Sequence, residues 1–77
     1  MPIARLAREA GLTPREASIL DALSRGRSHK EVATELGVAY FTVTTHVRNL
    51  FLKLGVNNRI DALNAVRRAR PQAEVGL

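Results

Sequence analysis

Only three residues, Gly37, Val38 and Ala39, separate two amphipathic segments of this chain, and that short interval limits its possible architectures more than any other feature. Before the interval, Ser28 and Glu31 have the S-x-x-E spacing of a capping box, in which each side chain satisfies a backbone N–H of the other residue. Val32, Ala33 and Leu36 then follow at helical spacing, which predicts a helix over 29–36 that stops at Gly37. After the interval, Val43, Val47, Leu50 and Leu54 fall at i, i+4, i+7 and i+11, widened by Phe51, which predicts a longer helix over 40–54 stopped by Gly55. A three-residue link favours a sharp angle between the two helices over a hairpin, and the small Ala33 allows the close approach that a steep crossing requires.

Similar punctuation frames the other segments. Thr13 and Glu16 form a second capping box with Pro14 at the first helical position, and Leu12 is placed to staple onto Ala17. Ala17, Ile19, Leu20 and Leu23 make the apolar face of a helix over 14–25 that ends at Gly26. Asn58 and Asp61 cap a further helix with Ala62, Leu63, Val66 and Ala69 on its apolar face, halted by Pro71. Residues 1–11, with Ile3, Leu6, Ala7 and Ala10 at helical spacing, read either as a linker or as a short packed helix, with the linker favoured. Residues 71–77 are expected to be a disordered tail. The expected fold is all-α: a small four-helix bundle over 12–70 containing a helix-turn-helix, with the segment 1–11 as an optional extra helix.

Composition narrows the chemistry. A chain of 77 residues without cysteine has neither disulfides nor a cysteine-ligated metal to stabilise it, so helix packing must carry the fold. His29 and His46, 17 residues apart in sequence, do not suggest a metal site, and no cofactor is expected. No pairing of nucleophile with base, or of carboxylates, suggests an enzyme, and there is no phosphate-binding glycine loop. Apolar runs are far shorter than the roughly 20 residues that span a bilayer, and no secretory signal is visible, so the expected location is cytoplasmic. The net charge of +5 favours a polyanionic partner. Between Arg25 and Arg59 the bases are Arg25, Arg27, Lys30, Arg48, Lys53 and Arg59, against the acids Glu31 and Glu35 alone.

The outward side of the 40–54 helix carries the functional signal. A helix built only to face water usually shows Glu and Lys pairs, whereas this one presents Phe41, Thr45, Arg48 and Leu52, flanked by Thr44 and Asn49, with no acid between Glu35 and Asp61. Threonine and arginine suit the edges of bases in a DNA groove. Arg27, His29 and Lys30 at the start of the 29–36 helix, and Tyr40 with its hydroxyl, suit phosphates; Lys53 and Arg59 are further candidates. His46 at the margin of the buried stripe reads as structural or phosphate-bonding.

These segments resemble the LuxR/FixJ-type (GerE-like) DNA-binding domain of bacterial transcription regulators, including response regulators. The resemblance spans about residues 12–66 and is carried by LTPRE at 12–16, HKEVATELGV at 29–38, TVTTHVRNLFLKLGV at 42–56 and NRIDAL at 58–63. It implies that the 40–54 helix enters the major groove and that the helix after it joins two copies as a dimer. By position it implies base contacts from Thr44, Thr45 and Arg48, and backbone contacts from Lys30, Tyr40, His46 and Asn49; Thr42 is a further candidate for the backbone. Two departures stand out: many members have Lys where this chain has Thr44, and Ala39 occupies the usual Ser or Thr cap position. The leading expectation is a homodimer on double-stranded DNA that recruits or blocks RNA polymerase from adjacent half-sites. The competing readings are a sigma-factor promoter-reading region, disfavoured by KLGVNNRIDAL, and a protein-interaction module of the same fold that no longer binds DNA, suggested by Phe41, Leu52 and Thr44.

Overall fold

A computed structural model of the chain describes residues 3–69, and these form five helices: α1 (Ala4–Ala10), α2 (Pro14–Ser24), α3 (His29–Leu36), α4 (Tyr40–Leu54) and α5 (Arg59–Arg68). No strand occurs among the described residues. The expected tail at 71–77 lies outside them. Where the sequence favoured a linker, α1 is a formed helix, and its approach is part of the core: Ile3 is 1% exposed and Ala7 is buried. The body is therefore five-helical, because Ile3 and Ala7 bury apolar surface that a linker would leave in water.

Local chemistry sets the helix starts. Both expected capping boxes are present, Thr13 with Glu16 and Ser28 with Glu31, and the Asn58 side chain accepts a bond from the Asp61 N–H at 2.8 Å. Helix α2 ends one residue earlier than its expected end at 25, within ordinary fraying. Gly37 ends α3 in the left-handed region at φ +68°, a conformation with little cost only for glycine, and Val38 donates back to the Ala33 carbonyl at 3.1 Å. That turn redirects the chain into α4 within three residues.

The core lies where α4 crosses α2 and α3. Val43, Val47 and Leu50 of α4 bury against Ile19, Leu20 and Leu23 of α2, Val32 and Ala33 of α3, and Ala62 and Val66 of α5. The apolar stripe on α4 faces this centre, so its opposite side must face outward.

Two long-range polar contacts brace the arrangement. Lys53 near the end of α4 donates to Glu16 Oε1 at 2.8 Å, and the same oxygen accepts the Thr13 N–H at 2.9 Å. Glu16 is only 3% exposed. Burial alone would raise its pKa, but the Lys53 ammonium and the Thr13 N–H and hydroxyl outweigh that and hold its carboxyl below the usual range. Arg59, at the start of α5, donates to the carbonyls of Leu23 at 3.0 Å and Arg27 at 2.8 Å, locking α5 onto the α2–α3 connection.

Candidate nucleic-acid interface

Helix α4 turns about 100° per residue, so Phe41, Thr45, Arg48 and Leu52 fall within an arc of about 60° on the side opposite Val43, Val47, Leu50 and Leu54. Exposure agrees with that geometry: Phe41 is 78% and Leu52 73% exposed, and Thr45, Arg48 and Asn49 are also exposed. This stripe is an open ridge. Among the described residues, Arg48 has no ion-pair or hydrogen-bond partner, so its guanidinium retains all its donors for a ligand.

The flanks differ. On the side toward α3 lie Tyr40, 57% exposed, and the half-buried Thr44 and His29, with the His29 and Tyr40 rings 6.3 Å apart. A shallow groove there is lined by Val47, Phe51, Leu52 and Val56, with Thr44 and Arg48 at its edge, giving the Arg48 methylenes an apolar surface to rest on. On the side toward α2 lie Thr42 and His46, both half-buried, and Lys53. Lys30 is exposed near the start of α3 and has no ion-pair partner among the described residues.

Several cations and one hydroxyl expected at a ligand are already occupied. Lys53 is held by Glu16, and Arg59 by two backbone carbonyls; both serve the fold by tying together segments far apart in the chain. Arg27 pairs with Glu35 at 2.6 Å, and the hydrogen bond to that carboxylate holds its guanidinium above the usual value. The Thr44 hydroxyl donates to the Tyr40 carbonyl at 3.2 Å, which leaves its methyl and oxygen lone pairs to face outward. Glu31 lies close to the motif, but its side chain accepts the Ser28 N–H, a bond that holds the carboxyl below its usual range. The nearby acids are thus tied into α3 and its cap.

Sequence reasoning did not identify the groove or its Asn57 edge, because that residue reaches α4 only through the turn after Gly55. The Lys53–Glu16 pair was equally hidden, since a separation of 37 residues leaves no periodic trace.

No solved structure matches the chain. The family of bacterial regulatory proteins, luxR family (GerE), matches residues 10–66. That span takes in α2 to α4, the Gly37 turn and most of α5. An all-helical body, a three-residue turn into a helix with an open polar ridge, and a family match over most of its length lead to one conclusion: the chain belongs to the LuxR family of bacterial regulatory proteins, as a helix-turn-helix domain.

Proposed function

We propose that this domain binds double-stranded DNA sequence-specifically, with α4 in the major groove, and regulates transcription from adjacent half-sites as a homodimer. The observation that carries the reading is the open α4 ridge, with Thr45 and Arg48, unpaired among the described residues, at its centre and no acid between Glu35 and Asp61 in the sequence. Arg48 forks onto the O6 and N7 of a guanine, and Thr45, with the Thr44 methyl beside it, meets neighbouring base edges. Lys30, His29 and Tyr40 on one flank, and Thr42, His46 and Asn49 toward the other, approach the two phosphate rows that border a groove about 12 Å wide. Arg27, Lys53 and Arg59 are left out of this set because the fold already engages them. The net charge of +5 supports long-range attraction to the duplex. Recruitment or exclusion of RNA polymerase, and a cytoplasmic location, complete the reading.

The test is selection of duplexes from a random pool, followed by fluorescence anisotropy on a selected and a scrambled duplex. Arg48→Ala is expected to weaken the selected duplex by about 1–3 kcal/mol and the scrambled one far less. Lys30→Ala is expected to weaken both alike and to flatten the salt dependence by about one unit of slope. Equal losses on both duplexes for Arg48→Ala would remove the base-reading role.

A further inference from the structure

Phe41 is 78% exposed and shares the α4 ridge with Thr45, Arg48 and Leu52, itself 73% exposed, so the ridge offers a ligand apolar surface beside its polar groups. Phe41 lies on the same arc of α4 as Thr45 and Arg48, one turn before the threonine and in the first turn of the helix. The first turn of a groove-bound helix is where side chains reach base edges. In the major groove the bases offer one apolar group, the 5-methyl of thymine.

We infer that Phe41 is a specificity-determining residue: its ring packs on the 5-methyl group of a thymine close to the base that Arg48 contacts. This rests on the proposed placement of α4 in the major groove. The spacing follows from the helix. Seven residues separate Phe41 from Arg48, about 10 Å at a rise of 1.5 Å per residue, which spans two to three base pairs at 3.4 Å each. The half-site therefore pairs a guanine under Arg48 with a thymine two to three steps away, toward the start of α4. Charge favours DNA over a protein groove as the occupant, because Arg48 and Lys30 have no acid partners among the described residues and would oppose burial against an apolar protein surface. Leu52 lies four residues beyond Arg48 in the last turn of α4, away from the first turn where a groove-bound helix reaches base edges.

The experiment removes the methyl group and leaves base pairing intact. Duplexes selected by the unaltered protein are remade with single thymines replaced by deoxyuridine, and affinities are measured for the protein and for Phe41→Ala, with circular dichroism confirming that the variant stays folded. One uracil, two to three pairs from the Arg48-dependent guanine, is expected to weaken the unaltered protein about fourfold, the equivalent of about 0.8 kcal/mol for one buried methyl. The same uracil is expected to leave Phe41→Ala unchanged. Uracil without effect at every position, or a penalty that persists in Phe41→Ala, overturns the inference while α4 remains a DNA reader. Phe41→Ala binding as tightly as the unaltered protein assigns the ring to another partner and overturns it too. Failure to enrich any duplex removes the DNA-binding reading itself and this inference with it.

Discussion

At the scale of single residues, the cations of this domain divide by what they touch. Arg48 and Lys30 are unpaired among the described residues, whereas Lys53 and Arg59 hold the fold together although their sequence context looks the same. Lys53 offers the sharper test. Its ammonium lies 2.8 Å from a carboxylate that is nearly buried, so Lys53→Met strands the Glu16 charge and should cost about 1.5–3 kcal/mol of stability, read by urea unfolding at neutral pH. The effect should depend on pH in a defined direction. The folded protein holds Glu16 below its ordinary value, so the stability it contributes is full above about pH 6 and is lost as pH falls through the lowered folded value. The gap between the protein and Lys53→Met should therefore narrow in acid. A gap independent of pH would mean that Lys53 acts only through packing.

At the scale of elements, the starts of α2, α3 and α5 are all capped by side chains, whereas α1, which starts after Ile3, and α4 are not. Ala39 has an extended conformation, φ −70° and ψ 148°, suited to a capping residue, yet provides no side-chain acceptor. Ala39→Ser is expected to stabilise the domain by about 1 kcal/mol, visible as an upward shift of the thermal midpoint by about 4–8 °C. A neutral result would mean that the free N–H groups at the start of α4 are as well satisfied by water. Those same N–H groups point toward the positive end of the helix dipole, so their exposure is compatible with an anion at this helix start.

At the scale of the whole molecule, α1 packs on the core through Ile3 and Ala7, with Leu6 and Leu12 partly buried against it. Because Ile3 is among the largest fully buried side chains, Ile3→Ala should cost about 2–5 kcal/mol and lower the urea midpoint without changing the slope. A loss below about 1 kcal/mol would show that α1 is an appendage. The core also explains why the α4 ridge remains open. The buried apolar stripe of α4 is used against α2, α3 and α5, which leaves Phe41, Thr45, Arg48 and Leu52 on the outward side of the helix.

Helix positions were legible from sequence because their signals are local. The capping boxes at Thr13 and Ser28, the Gly37 turn and the stripe from Val43 to Leu54 act over three to four residues, and the expected limits of 29–36 and 40–54 match α3 and α4. The candidate ridge was legible for the same reason, since one helix face and the scarcity of acids along it can be counted directly. Which cations are free, however, depends on contacts no local pattern records. Lys53 meets Glu16 across 37 residues, Arg59 meets Leu23 across 36, and Arg27 meets Glu35 over the top of α3. The docking of α1 depends in the same way on apolar residues from helices distant in the chain. Sequence alone therefore determined where the helices begin, end and carry their apolar faces, through short-range hydrogen bonding and periodicity. Tertiary packing decided which charged side chains are engaged within the domain and which stay unpaired among the described residues, because that is set by distances between segments far apart in the chain.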